Sequence, residues 1–355
     1  MAARDRRLER RDPRDRGRAG RAGTRGRPRA GPRLRGAVDP VRAQPPRRRP
    51  AVTAQWEQLV RGGAERGRDH RRRRGPGRTA ARPSRPRRAV RPRPAGPPLV
   101  EQVDRGTVLV TGTDVNWVLL REGDALTLVD GGYPGDVAAV EFSIATLGLR
   151  PQDVVAILVT HAHVDHLGAV NPFHARYGTP VLLHPVEVAH ARRERREQLT
   201  PARVVAGLWR PAVLPWAVRV ARAGAGRDVA AAHAQPFPTS GALDLPGSPV
   251  PVPTGGHTSG HTAFHLPASG AVITGDSLVT GHALSPATGP QLLPAWFNHG
   301  TDEEMRAALG ALAGVDADLL LPGHGPAHRG PLRAAVDRAA GAPPGGGPRT
   351  TRGRR

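Results

Sequence analysis

An apolar run from Val154 to Thr160 ends directly in His161-Ala162-His163-Val164-Asp165-His166. This junction narrows the possible folds more than any other stretch of the chain. The run reads as a core strand. Three imidazoles and a carboxylate that follow a buried strand so closely are costly to keep near a core unless they bind something. In extended backbone the side chains at i and i+2 point the same way, so His161 and His163 can grip one metal ion. Asp165 and His166, where the chain turns into the next helix, can face a second.

Three more places repeat the pattern downstream. His257 lies in Thr254-Gly255-Gly256-His257-Thr258-Ser259-Gly260-His261, Asp276 in Ile273-Thr274-Gly275-Asp276, and His324 in Leu321-Pro322-Gly323-His324-Gly325. Each lies where an expected strand runs into a glycine-bearing loop, which lets a ligand project from a rigid sheet edge. Together they make five histidines and two aspartates, donors suited to zinc. The chain has no cysteine. Disulfide scaffolds, thiolate zinc fingers, iron–sulfur clusters and cysteine nucleophiles are thereby excluded, and any metal is held by nitrogen and oxygen.

The formal charge of +23 is unevenly spread: residues 1 to 98 carry +24, residues 99 to 341 carry −5, and residues 342 to 355 carry +4. All 53 basic residues are arginine. The first segment, with 14 prolines and 12 glycines, has too few large apolar side chains to offset chain entropy of about 1 to 2 kcal/mol per residue. It is expected to be a disordered, basic, low-complexity extension, as is the 342–355 tail. Two readings of the extension stand side by side. Its arginine runs can neutralise the phosphates of RNA or DNA. Alternatively it is a solvated extension without function, whose Arg, Pro, Ala and Gly content suits GC-rich DNA upstream of a start near Val100, so that it is not natively translated. No apolar run approaches the roughly 20 residues that span a bilayer, so a soluble, cytoplasmic chain with no membrane partner is expected.

From Leu99 onward short β-rich runs alternate with turns. Strands are expected at Thr107 to Val110, Asn116 to Leu120, Leu126 to Val129, Val154 to Thr160, Val181 to His184, Val250 to Pro253, Thr262 to Leu266, Ala271 to Thr274 and Ala317 to Leu321. Helices are expected from Asp136 to Leu147, Leu167 to Tyr177 and Asp302 to Leu312. Residues 187–228 read as helical pieces broken by Pro211 and Pro215. They form either a lid over the site or a surface helix pair that completes the core.

The motifs resemble those of the metallo-β-lactamase-fold hydrolases, in the branch of glyoxalase II and the lactonases. The His-x-His-x-Asp-His signature is matched by His161 to His166. The Gly-His-Thr-x-Gly-His, Thr-Gly-Asp and Pro-Gly-His-Gly elements match downstream. The resemblance covers about residues 100 to 335. It implies an α+β fold, a four-layer αβ/βα sandwich of two mixed sheets flanked by helices. It also implies a first metal held by His161, His163 and His257, a second held by Asp165, His166 and His324, and Asp276 bridging both. Asp130, in its Asp-Gly-Gly turn, either supports a ligand or caps the turn. His261 is expected to support rather than bind, and His184 and His282 are the remaining histidines placed to reach the site.

Two zinc ions, with iron or manganese as substitutes, are the expected cofactors. At a separation of about 3.5 to 4 Å they acidify a bridging water to give a hydroxide nucleophile near pH 7 and polarise the scissile carbonyl or phosphoryl group. Asp165 is expected to orient that hydroxide. The metal core is shared by thioesterases, lactonases, β-lactamases, phosphodiesterases and nucleases, so it sets the reaction type better than the substrate. Trp209, Trp216, Trp296 and Phe297 favour a small ester, lactone or thioester with a hydrophobic portion. Two alternatives remain: a nuclease or phosphodiesterase to which the arginine arm delivers nucleic acid, and an oxidoreductase with one iron, like the persulfide dioxygenases.

Overall fold

The computed structural model describes residues 97 to 341. The expectations for residues 1–96 and 342–355 lie outside them. Seven strands form the first sheet, in the order β1 to β7: Leu99–Asp104, Thr107–Thr111, Asn116–Glu122, Ala125–Val129, Val154–Leu158, Val181–Leu183 and Gln235–Pro236. Pairing is antiparallel from β1 to β4 and parallel from β4 to β7. The second sheet has the order β12-β11-β10-β9-β8, with β8 Val250–Pro253, β9 Thr262–Leu266, β10 Ala271–Gly275, β11 Leu319–Pro322 and β12 His328–Arg329. Its one parallel pair is β10 with β11.

The period-2 geometry of the strands distributes their side chains into layers. Val118 and Leu120 of β3 face the second sheet and meet Phe264, Ile273 and Leu321 in a core between the sheets. Trp117 and Leu119 face the other way, where α1 (Val137–Thr146) and α2 (Val170–Tyr177) supply Val140, Ile144 and Phe173. On the opposite side Val272 and Leu320 pack on Leu309, Leu312 and Val336 of two further helices, Asp302–Ala313 and Leu332–Gly341. Three apolar layers between helix, sheet, sheet and helix are the four-layer sandwich expected from the motifs. Each fully buried Leu, Ile or Phe in them contributes about 1.5 to 3 kcal/mol.

Local departures from the expected elements have local causes. The strand from Val154 stops at Leu158, because the Thr160 amide donates to the Asp130 carboxylate at 2.8 Å. Helix α2 starts at Val170 and not at Leu167, and just before it the amides of Gly168 and Ala169 donate to the carbonyls of Gly132 and Gly131. The approach there is so close that a β-carbon on Gly168 would lie 2.1 Å from the Tyr133 carbonyl oxygen. Residues 187–228 fall into α3 (Pro185–Ala191), α4 (Pro201–Ala206) and α5 (Val213–Ala223). Pro215 does not break α5; it sits in the first turn, where its missing N–H is not needed. The two helices of the second half are therefore α6 (Asp302–Ala313) and α7 (Leu332–Gly341).

Candidate metal centre

All seven expected ligands converge at one edge of the two sheets. His161, His163, His257 and Asp276 form one group and Asp165, His166 and His324 a second, each with its donor atoms within 4.8 Å of one another. The loop after β5 supplies four of them, and the ends of β8, β10 and β11 supply His257, Asp276 and His324. Asp276 lies between the groups. Its Oδ2 is 3.5 Å from His257 Nε2, 3.9 Å from His161 Nε2 and 3.2 Å from His324 Nε2, while Oδ1 is 3.5 Å from His166 Nε2. Gly323 makes room for it, since a β-carbon there would lie 2.3 Å from Asp276 Oδ1.

Hydrogen bonds behind the site engage the outer ring nitrogen of each of the five histidines. A backbone carbonyl can only accept, so His163 donates Nε2–H to Glu197 O at 2.6 Å and His324 donates Nδ1–H to Asp114 O at 2.6 Å. His166 Nδ1 lies 2.9 Å from Asp130 Oδ2, His257 Nδ1 2.9 Å from Asn298 Oδ1, and His161 Nδ1 3.1 Å from Thr160 Oγ1. Each ring thus commits its outer nitrogen and turns the other inward, where that of His324 meets Asp276 Oδ2 at 3.2 Å. His161 Nε2, His166 Nε2 and Asp276 Oδ1 are buried with no hydrogen-bond partner. His257 Nε2 and His163 Nδ1 face each other at 3.0 Å with the proton of each ring already placed elsewhere. Buried lone pairs converging without donors are what a cation satisfies, and this donor set fits a pair of divalent ions.

The electrostatics divide the two groups. Burial, reinforced by neighbouring imidazoles, holds His161 and His163 well below the usual histidine range, and burial lowers His257. Burial also acts to lower His166 and His324, but it is outweighed. Asp130, Asp165 and Asp276 raise His166, and Asp276 with Asp165 raises His324. Asp276 is held well below the carboxylate range, its burial outweighed by His324 and His166.

The supporting residues separate into those that act and one that does not. Of its two expected roles Asp130 fills the first, support of a ligand, since its carboxylate accepts from Thr160 and His166 and not from its own turn. It stands at φ 64°, its Oδ1 accepts from the Thr160 amide, and its Oδ2 accepts from the Thr160 hydroxyl at 2.9 Å and from His166. Asp130→Asn is expected to weaken metal binding about 10- to 100-fold, because an amide nitrogen facing His166 Nδ1 disturbs its tautomer; competition with a chromogenic chelator measures it. His261 is not a donor to the site. Its Nε2 accepts the Asp276 amide at 3.0 Å, its Nδ1 meets Thr254 Oγ1 at 2.8 Å, and burial with His257 pushes it down to about 3. His282 faces the cavity with its ring 5.2 Å from that of His324. The expectation for His184 is corrected: it caps α3, its Nδ1 accepting from the Val186 amide, and lies outside the cavity wall.

Glu187 and Glu197 went unnoticed in the sequence. Glu187, fully buried in α3, accepts from the Ala162 amide and His190 through Oε1, each at 2.8 Å, and from Thr258 Oγ1 and the Gly260 amide through Oε2, each at 3.0 Å. It ties the His161–His163 loop to the His257 loop. Glu197 adds a second tie, accepting from the Ser259 amide at 2.7 Å.

The metal groups form the floor of a cavity of about 370 Å³ whose walls come largely from α4 and α5. Trp216 and Phe297 line it, as expected of them. Trp209 and Trp296 do not: Trp209 is 77% exposed, and Trp296 is half-buried beside Phe297 with the Arg210 guanidinium 5.8 Å from its ring. Residues 187–228 therefore both roof the site and complete an apolar cluster of Tyr133, Val213, Trp216 and Val220.

Residues 110–324 match the family model described as the metallo-beta-lactamase superfamily. The chain is 25% identical over 222 residues to a probable metallo-hydrolase of Bacillus subtilis (strain 168), which covers 58% of this chain and 78% of that protein. It is 31% identical over 202 residues to a hydroxyacylglutathione hydrolase of Cupriavidus metallidurans, covering 56% of this chain and 58% of that protein. The match thus spans little more than half of that relative's length. Among solved structures, a metallo-beta-lactamase family protein of Thermus thermophilus is 25% identical with a TM-score of 0.48, covering 67% of this chain and 79% of that one. With its signature residues gathered at one sheet edge and the family model matched from β2 to His324, the chain belongs to the metallo-beta-lactamase superfamily.

Proposed function

We propose that the chain is a metal-dependent hydrolase of esters, lactones or thioesters of small, partly hydrophobic molecules. One observation carries this reading: five imidazoles, four of them buried, with their outer nitrogens committed and their inner nitrogens converging around Asp276. His161, His163 and His257 would hold one ion, Asp165, His166 and His324 the other, and Asp276 both. Zinc suits the nitrogen and oxygen donors, and iron or manganese fits the same set. Two such ions would acidify a water and polarise the carbonyl oxygen of the substrate. The chain's own residues do the rest. Asp165, at the rim of the second group and on the cavity wall, is placed to accept a proton from the attacking water and so orient it. Hydrolysis adds water across the acyl C–O or C–S bond, and the alcohol or thiol departs with a proton into the cavity. The apolar wall around Trp216 and Phe297 seats the acyl chain.

Elemental analysis of the full chain, with an activity panel of an ester, a lactone, a thioester and a phosphodiester, tests the proposal. About two ions per chain together with turnover of a carbonyl substrate is the expected result. A single iron, or hydrolysis of the phosphodiester alone, would overturn it.

A further inference from the structure

The hydroxyacylglutathione hydrolase that resembles this chain is named for a substrate whose thiol half is glutathione, a peptide bearing two carboxylates. The cavity here is built differently. Among the described residues no arginine lines it, and the chain has no lysine to do so. Leu199, Val204, Trp216 and Val220 make up much of the wall. Two arginines of the roofing helices are engaged elsewhere: Arg203 donates to the Trp296 carbonyl at 3.2 Å, and Arg219 pairs with Asp114 at 2.8 Å.

Away from the metal groups the polar side chains on the wall are Tyr133, Gln198 and His282. None supplies a positive charge. His282 Nδ1 accepts the Leu284 amide at 3.2 Å, which leaves its single proton on Nε2, so the ring presents a neutral donor. Burial, with Asp165 next in effect, holds the Tyr133 phenol well above its usual range, so it too is a neutral donor. A carboxylate carried into this part of the cavity would lose its water and gain no cation.

Resting on the carbonyl-hydrolase reading above, we infer that the substrate carries no charged group on either side of the carbonyl that would be delivered to the metals. Its acyl chain is apolar and its leaving group is a neutral alcohol or thiol, so that glutathione thioesters are poor substrates. The wall thereby separates this chain from relatives that share its metal ligands.

Four thioesters test the inference on the zinc-loaded full chain: a hexanoyl or an adipoyl (ω-carboxyl) group, each joined to a neutral alkyl thiol or to glutathione. The hexanoyl thioester of the neutral thiol is expected to have a kcat/KM at least about a hundredfold above either variant that is charged at one end only. Val205 lines the cavity yet is 66% exposed, so Val205→Arg can add a cation without repacking, and it is expected to narrow the gap for the adipoyl compound. Equal or faster turnover of the adipoyl or glutathione compounds would overturn the inference. Binding is read in parallel from tryptophan fluorescence, with hexanamide and its ω-carboxyl analogue as non-reacting probes. Tighter binding of the neutral probe without turnover of any thioester would keep the charge rule and remove the hydrolase reading; equal binding would remove the rule.

Discussion

Asp276→Ala is expected to reduce the metal content of the purified chain from two ions to at most one and to lower kcat/KM by at least about a thousandfold, a loss of roughly 4 kcal/mol in transition-state stabilisation. The size of the effect follows from position. Asp276 touches both groups, with Oδ2 3.5 Å from His257 Nε2 and 3.2 Å from His324 Nε2, and Oδ1 3.5 Å from His166 Nε2. Its removal would take one ligand from each ion that the two groups would hold, together with the negative charge that would offset them. Its backbone is held separately, through the amide that donates to His261 Nε2, so the loop has an anchor that survives the substitution. Elemental analysis with steady-state kinetics measures the two losses, and far-ultraviolet circular dichroism checks that the sandwich persists. Retention of both ions in the variant would show that Asp276 does not bridge.

Glu187→Leu is expected to cost about 3 to 5 kcal/mol of stability and to lower Tm on the order of 10 °C. The change strands four buried donors: the Ala162 and Gly260 amides, the Thr258 hydroxyl and His190 Nδ1. Glu187 touches no expected metal ligand side chain, yet it fixes the backbone between His161 and His163 and the loop after His257, so metal affinity should fall with stability. The sign with pH is set by its carboxyl. Burial alone would raise it, but His190, the Ala162 amide and the Thr258 hydroxyl outweigh burial and hold it below the usual range. A group depressed in the folded state stabilises fully above its unfolded value, about 4.3, and loses that contribution as pH falls through the folded value. The gap in Tm between the metal-free native chain and Glu187→Leu should therefore be constant around neutrality and close in acid. Thermal unfolding from pH 7 to pH 3 in the presence of a chelator measures it; a gap that widens in acid would contradict the assignment.

The seven residues at the metal centre were legible because their chemistry is concentrated. Polar ligands that follow apolar strands at glycine-bearing turns have few other uses, and the turns expected before His257, Asp276 and His324 are where the fold places them. Glu187 was hidden for the opposite reason. It is a single acid just before an arginine-rich stretch, Ala191 to Arg196, and reads as a solvated helix face, whereas the fold buries it completely against a loop 25 residues earlier in the chain. Its neighbour His190 is buried on Glu187, while His184, which looked better placed at the end of a strand, caps a helix. Strand β1 escaped notice because it is an edge strand with only Val103 buried, so it carries no alternation. Helix α7 was readable in principle: Leu332, Ala335, Val336 and Ala339 recur at helical spacing and are the residues it buries. Trp209 shows the limit of composition as a guide, since an aromatic in a roofing segment turned outward while Trp216, seven residues on, turned in.

Both ligand groups draw on both sheets: His161, His163, Asp165 and His166 follow β5 of the first, and His257, Asp276 and His324 follow strands of the second. Ions held there would act as rivets through the seam, because neither sheet alone presents a complete set. Anything that parts the sheets must also release the metal, so free ion at about a hundred times its dissociation constant would add about 2.7 kcal/mol per site to the resistance of the whole domain to unfolding. Metal supply would then govern survival as well as turnover. A chain starved of such ions would open more often, so scarcity would thin the population of molecules and not merely silence it.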